Sequence, residues 1–138
     1  MQWNAHLSFN GDCQAAFQFY EQCFGGRIIT MLKYGDSPMA NQAPPEWGGK
    51  ILHATLVAGS SVLMGSDVPT GQYQEPKGFH VVIGIEDPSV AERVFHALAE
   101  NGQVLMPIQK TFWALRFGFL VDRFGVPREV NCEQPAGS

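Results

Sequence analysis

The apolar positions of this chain change their spacing several times, and each change predicts a new element of secondary structure. Apolar and polar side chains alternate over residues 3–9, which is typical of a strand with one buried face. Apolar residues then recur at the three- and four-residue spacing of a helix, in Ala16, Phe19, Tyr20 and Phe24. Asp12 is a suitable N-cap and Gly25-Gly26 supplies the end, so we expect a helix between them.

Three more strands are predicted in the first half of the chain, over residues 27–34, 50–58 and 61–66. The loop 35–49 separates the first of these from the second and contains Pro38, Pro44 and Pro45. Long loops in compact domains often form lids or binding elements. Residues 67–78 carry further proline and glycine and predict a linker between two halves.

The same order of elements returns after the linker. Strands are predicted over residues 79–85, 103–108, 112–122 and 126–133. A helix is predicted from Asp87-Pro88, a cap followed by proline at the first helical position, to Asn101-Gly102. When Asp12 is laid over Asp87, the apolar stripes of the two helices coincide at several positions. The pattern therefore indicates an internal duplication of a strand–helix–three-strand unit.

Composition narrows the classes of protein to consider. With 138 residues, 45% of them apolar and 16% charged, the chain suits a single globular domain. The net charge is −4 and the basic residues are scattered, which argues against nucleic acid or an anionic membrane surface as a partner. No apolar run approaches the roughly 20 residues that span a bilayer, and no secretory leader is visible.

The three cysteines, Cys13, Cys23 and Cys132, are odd in number and show no paired spacing. We interpret them as buried free thiols of a reducing compartment, and we therefore expect the cytoplasm. A disulfide or a thiolate metal site is the alternative. The chain also lacks a nucleophile-elbow serine, a P-loop and a zinc-finger pattern, which excludes the reactions that those motifs serve.

Several short motifs together resemble one superfamily of proteins. They are Phe9-Asn10-Gly11-Asp12-Cys13, Phe19-Tyr20, Phe24-Gly25-Gly26, Tyr34-Gly35-Asp36, Leu52-His53-Ala54, Leu63-Met64, Ser66-Asp67, Met106-Pro107, Thr111-Phe112-Trp113-Ala114 and Asp122-Arg123-Phe124-Gly125-Val126-Pro127. In this order they are similar to the PhnB-like group of the vicinal oxygen chelate superfamily, which includes glyoxalase, extradiol dioxygenases and the bleomycin- and fosfomycin-resistance proteins. The match covers nearly the whole chain.

The resemblance implies an α+β fold in which two βαβββ modules form curved mixed sheets around a cavity. The modules would span about residues 1–67 and 79–133 of one domain, residues 1–138. It also implies a small-molecule ligand and a homodimer. Because the superfamily hosts many reactions and also pure binding proteins, the resemblance leaves the reaction open.

The resemblance further implies a candidate metal site at His6, His80 and Glu129. The expected ion is divalent: manganese, nickel, zinc or iron. Two histidines and one carboxylate leave coordination positions for substrate oxygens. His6 depends on register, because a shift by one residue turns its side chain to the other face of the strand. The fourth superfamily position, near Met64, offers no oxygen or nitrogen donor.

A structural interpretation of the same residues stays open. A strand histidine often only packs with its ring nitrogens bonded, and Glu129 could pair with Arg116, Arg123 or Arg128. On that view the chain is a metal-free protein that binds or sequesters a small molecule, as bleomycin-resistance proteins do. No catalytic base can be named from the sequence.

Four residues are candidates for contact with a substrate. Alternation along the strand 112–122 places Trp113 and Phe117 on one face, where aromatic side chains could line a ligand cavity or simply fill the core. Arg116 falls on the other face and could bind an anionic group, although a salt bridge is the alternative. His53 opens a strand and is either a substrate contact or a hydrogen-bonded histidine of the core or rim.

Overall fold

A computed structural model describes residues 1–69 and 71–135 of the chain. The chain divides into two compact units, residues 1–74 and 75–138, which we call unit one and unit two. Among the described residues, each unit contains one α-helix and one four-stranded sheet. The predicted α+β class and the two βαβββ modules are therefore confirmed.

Unit one follows the predicted order of elements. Its elements are β1 (Ala5–Phe9), α1 (Cys13–Phe24), β2 (Arg27–Lys33), β3 (Ile51–Ala58) and β4 (Ser61–Asp67). The strands lie side by side in the order β1-β4-β3-β2. Strand β1 runs parallel to β4, and the other two pairings are antiparallel.

The apolar face of sheet one packs against α1. Leu7 and Phe9 of β1 are buried, and the ring of Phe9 meets Phe17 of α1 edge-on. The predicted helical stripe needs one correction: the buried residues of α1 are Cys13, Ala16, Phe17, Tyr20 and Cys23. Phe19 and Phe24 are only partly buried. The helix is therefore rotated slightly from the predicted orientation.

Unit two repeats the arrangement. Its elements are β5 (Val81–Gly84), α2 (Pro88–Ala99), β6 (Gln103–Gln109), β7 (Ala114–Val121) and β8 (Pro127–Glu133). The strand order is β5-β8-β7-β6, with β5 parallel to β8. Sheet two buries Ala91, Val94, Phe95 and Leu98 of α2.

The helix starts differ from each other in a way that the sequence does not show. Asp87 caps α2 as predicted, because its carboxylate accepts a hydrogen bond from Ser89 N at 2.9 Å. Asp12 occupies the N-cap position of α1, but its side chain makes no capping hydrogen bond. At the other end, Gly25 adopts the left-handed conformation (φ 70°) that closes α1.

Three short 3₁₀ turns occupy the region of the predicted loop 35–49, at Tyr34–Asp36, Ala40–Gln42 and Pro45–Trp47, and the first begins one residue before the predicted loop. Its start is tied to sheet one, since the Tyr34 hydroxyl donates to the carbonyl of Asp67 at 3.0 Å. The Tyr34 and Trp47 rings also meet edge-on. Neither helix within residues 1–69 and 71–135 is long and apolar enough to cross a membrane.

Candidate functional site

The register of β1 decides where His6 points. Leu7 and Phe9 face α1, so alternation places His6 and Ser8 on the opposite, helix-free face of sheet one. Strand β1 pairs with β4 so that His6 lies beside Met64 and Ser8 beside Ser66. The side chain of His6 therefore takes the face that a metal-ligand role would require.

Two histidines meet on this helix-free face. His53 of β3 stacks on His6, with ring centroids 6.3 Å apart and planes 28° from parallel. Each Nε2 atom lies next to a hydroxyl group: His6 next to Ser66 at 3.0 Å and His53 next to Thr55 at 3.1 Å. Burial lowers the pKa of His6, and the neighbouring His53 lowers it further. The neutral form, which is the form that binds metals, is therefore favoured at His6 more than at an unperturbed histidine.

A second pair of candidate ligands meets in unit two. His80 lies immediately before β5, and Glu129 lies on β8 beside Val82. The Nδ1 atom of His80 is 4.0 Å from Oε1 of Glu129. This distance is too long for a hydrogen bond. Two ligand atoms about 2.1 Å from one tetrahedral ion lie about 3.4 Å apart, so the two side chains would have to close by about 0.6 Å to share an ion.

The arginines that could have neutralised Glu129 are engaged elsewhere. Arg116 pairs with Glu92 at 3.0 Å, Arg123 with Glu100 at 3.5 Å and Arg128 with Asp122 at 3.3 Å. The surface ion pair considered for Glu129 is therefore absent among the described residues. The donor set, an imidazole and a carboxylate, fits a divalent ion.

A row of aromatic side chains starts beside the pair of ligands in unit two. Phe119 lies beside Glu129 in the register of β7 and β8, and its ring centroid is 5.1 Å from that of His80. Phe117 continues the row and meets both Phe119 and Trp113 edge-on. Trp113 precedes β7 and is 46% exposed, so an indole face remains accessible next to the buried Phe117.

Arg116 lies on the other face of sheet two, as predicted. It donates from Nε to Glu92 of α2 and from Nη1 to the carbonyl of Leu115. The salt-bridge alternative is the one observed, and Arg116 lies away from Phe117 and Glu129. We therefore leave it out of the site proposed below.

The predicted three-ligand set is divided between the two units, with His6 in unit one and His80 and Glu129 in unit two. Within either unit, the described residues contain no group of three or more His, Cys, Asp or Glu side chains arranged to hold a metal ion. The candidate site thus consists of two pairs, His6 with His53 and His80 with Glu129.

Sequence reasoning missed the hydroxyl partners of the histidines. Gly65 and Ala54 are buried, and side chains alternate between the two faces along a strand. Their neighbours Ser66 and Thr55 therefore lie on the opposite face, with His6 and His53. The alternation was visible in the sequence, but the pairing of strands that brings Ser66 to His6 was not.

The architecture and these residues agree with one class of protein. The family model of the glyoxalase/bleomycin resistance protein/dioxygenase superfamily matches residues 4–130. The chain belongs to this superfamily, and the resemblance stated from the sequence is confirmed.

Particular relatives can also be named. Protein YjdN of Escherichia coli (strain K12) is 32% identical over 140 residues, which cover 95% of both chains. The crystal structure of protein PA1353 from Pseudomonas aeruginosa is 47% identical, with a TM-score of 0.88 and coverage of 98% of this chain and 99% of that one. A PhnB protein from Bacillus cereus is 24% identical, with a TM-score of 0.79 over 96% of this chain and 99% of that one.

A more distant structure shares the fold alone. It is a single-residue mutant of the fosfomycin resistance protein FosX from Listeria monocytogenes, in complex with Mn(II) and 1S,2S-dihydroxypropylphosphonic acid. Its sequence is 13% identical, and its TM-score is 0.65 over 97% of this chain and 92% of that one.

Proposed function

We propose that this protein binds a small molecule carrying neighbouring oxygen atoms and holds a divalent metal ion with His80, Glu129 and His6. The observation that carries the proposal is the 4.0 Å approach of His80 Nδ1 to Glu129 Oε1, without a competing arginine at Glu129 among the described residues. When bound, the ion would polarise the substrate oxygens. Manganese is the first ion to test, because the FosX relative is described in complex with Mn(II).

The protein's own side chains would supply orientation. Trp113 and Phe117 offer aromatic surface in unit two, and Trp113 is accessible enough to contact a ligand. His53 offers a ring nitrogen in unit one, and its contact with Thr55 fixes the ring. We therefore assign substrate contacts to Trp113, Phe117 and His53, and we expect a ligand with an apolar part and hydrogen-bonding oxygens.

A metal-free binding protein is the second candidate function. It is favoured by the hydrogen bond between His6 Nε2 and Ser66, which already satisfies one ring nitrogen, and by the division of the ligands between the two units. In that case the same aromatic and polar side chains would sequester a small molecule without reacting with it.

We also propose that the protein acts in the cytoplasm as a homodimer. The cytoplasmic assignment is supported by Cys13, Cys23 and Cys132, which are all buried and form no disulfide among the described residues. The dimer rests on resemblance to the superfamily. Sedimentation of the purified protein would test it, and a monomer at micromolar concentration would contradict it.

Metal binding is tested by thermal unfolding of protein purified without a histidine tag, in the presence of Mn²⁺, Ni²⁺, Zn²⁺ or Fe²⁺. We expect one of these ions to bind at one per chain and to add about 2.7 kcal/mol of stability at a free concentration 100 times its Kd. Glu129→Gln should remove this increment because it removes the anionic ligand. Glu133→Gln is the matched control, since Glu133 is an exposed carboxylate on the same strand.

The two candidate functions give different results in this experiment. If no ion raises the stability of the wild-type protein, the metal-dependent function is wrong and the binding function stands. If Glu129→Gln and Glu133→Gln respond alike, the ion binds elsewhere and the assignment of Glu129 is wrong.

A further inference from the structure

Three nitrogen and sulfur donors share the helix-free face of sheet one. His6 of β1 lies directly beside Met64 of β4 in the parallel pairing. His53 of β3 is diagonal to Met64, because Ala54 pairs with Gly65 and Thr55 with Met64. The neighbours of Met64 in β4 turn the other way: a Cβ on Gly65 would lie 2.6 Å from the Phe17 ring of α1. The Met64 side chain therefore emerges on the same face as the two imidazoles.

The hydroxyl contacts orient the two rings. Ser66 lies 3.0 Å from Nε2 of His6, and Thr55 lies 3.1 Å from Nε2 of His53. When each Nε2–H donates to its hydroxyl, the Nδ1 lone pair of each ring becomes the free donor. Metal-binding histidines are commonly held in this manner, with the second ring nitrogen bonded to a fixed acceptor. The ring centroids are 6.3 Å apart, and the flexible Met64 side chain leaves β4 between the two strands that carry the imidazoles.

The donor set carries no negative charge. The acidic side chain that ends β4, Asp67, is buried towards α1, and its two oxygens accept hydrogen bonds from the backbone N–H groups of Cys13 and Ile51. Two imidazoles and a thioether suit a soft monovalent ion, whereas Mn²⁺ and Mg²⁺ prefer carboxylate oxygens.

We propose that His6, His53 and Met64 bind one Cu⁺ ion on the helix-free face of sheet one, with Ser66 and Thr55 fixing the imidazoles. This site lies entirely within unit one and does not use His80 or Glu129. Because His6 belongs to both ligand sets, one chain would bind either this Cu⁺ ion or the divalent ion proposed above, and not both at once.

The test is competition for Cu⁺ between the full-length protein and bicinchoninate, under anaerobic conditions with ascorbate. We expect one Cu⁺ per wild-type chain. Met64→Leu and His53→Gln each remove a direct ligand. Each should weaken Cu⁺ binding by more than the roughly 10–100-fold loss that is typical when a residue hydrogen-bonded to a ligand is removed. Ser66→Ala should fall within that roughly 10–100-fold range. Met39→Leu is the matched control, because Met39 lies in the loop at 41% exposure, and it should bind as the wild type does.

The outcomes separate the two metal sites. Met64→Leu should leave the Mn²⁺ response unchanged, and Glu129→Gln should leave Cu⁺ binding unchanged. Cu⁺ affinity that persists in both Met64→Leu and His53→Gln would come from the cysteine thiols and would overturn the proposal. The absence of Cu⁺ binding in a wild-type protein that unfolds cooperatively would also overturn it.

Discussion

At the scale of single residues, two buried carboxylates organise the backbone next to the candidate site. Asp67 accepts from the N–H groups of Cys13 and Ile51, which joins the start of α1 to the start of β3. Asp122 accepts from the N–H groups of Phe124 and Val126 in the turn that leads into β8. The second carboxylate therefore helps to position the strand that carries Glu129.

The ion pair between Asp122 and Arg128 gives a stability prediction. The two side chains are 0% and 1% exposed, so loss of the carboxylate leaves a buried guanidinium without this counter-charge. We expect Asp122→Ala to lower the free energy of unfolding by about 3–5 kcal/mol in urea denaturation. Glu100→Gln breaks the exposed pair with Arg123 and should cost at most about 1 kcal/mol. Equal effects of the two substitutions would contradict this account.

A pH prediction follows from Cys13. Burial raises the pKa of its thiol far above the ordinary 9.0, and the carboxylates of Asp67 and Asp12 add to the shift. Above pH 9 the unfolded chain releases this proton and the folded chain keeps it, so the free energy of unfolding should fall as pH rises. Burial also raises the pKa of Tyr34 and Cys132, which acts in the same direction.

Urea denaturation from about pH 8 to about pH 10.5 measures the slope of unfolding free energy against pH. One such group contributes at most about 1.4 kcal/mol per pH unit. Cys13→Ala should make the slope shallower. A slope unchanged by this substitution would show that the thiol titrates alike in both states.

At the scale of elements, each helix approaches its sheet at a glycine. A Cβ on Gly65 of β4 would lie 2.6 Å from the Phe17 ring of α1, and one on Gly118 of β7 would lie 2.6 Å from the Phe95 ring of α2. Each phenylalanine thus occupies the space that a larger strand residue would take. In unit one this contact also sets the face on which Met64 and Ser66 emerge.

We expect Gly65→Ala to destabilise the protein by about 1–3 kcal/mol, because the added methyl group overpacks a filled core. Gly84→Ala is the control, since a Cβ there meets nothing within 4 Å and should be neutral or slightly stabilising. Chemical denaturation of the two variants makes the comparison. Equal stabilities would show that the Phe17 ring moves aside without cost.

The spacing of apolar residues predicted both α-helices and all eight strands among the described residues. The prediction worked because each of these elements is amphipathic and buries its apolar face against a sheet or a helix. It overextended the strands at the site. His80 was predicted inside a strand that begins at Val81, and Phe112 and Trp113 inside one that begins at Ala114. The pattern of apolar residues continues through these positions and therefore predicts a longer strand. The hydrogen bonds between strands, which define the observed element, stop before that pattern does.

At the scale of the whole molecule, duplication explains why the candidate ligands come in two groups. His6 and His80 lie at the start of equivalent strands of the two units, and Glu129 lies on the last strand of the second. On the last strand of the first unit, Met64 lies beside His6 and offers sulfur, whereas Glu129 of the second unit lies beside Val82. This difference leads us to assign a soft-metal site to unit one.

The sequence could predict the residue types of the site but not its distances. The faces of His6 and Glu129 follow from alternation once the strand bounds are known. The stacking of His6 on His53 and the approach of His80 to Glu129 depend on strand pairing between distant parts of the chain. Such pairing is set by the packing of whole sheets, and local pattern does not determine it.

A crystal of the wild-type protein soaked in Mn²⁺, with anomalous scattering recorded for the metal, tests the proposed function most directly. We predict one anomalous peak per chain, with His80 Nδ1, a carboxylate oxygen of Glu129 and a ring nitrogen of His6 all within about 2.0–2.4 Å. A crystal without such a peak, or with a peak that lacks Glu129 as a ligand, would contradict the account.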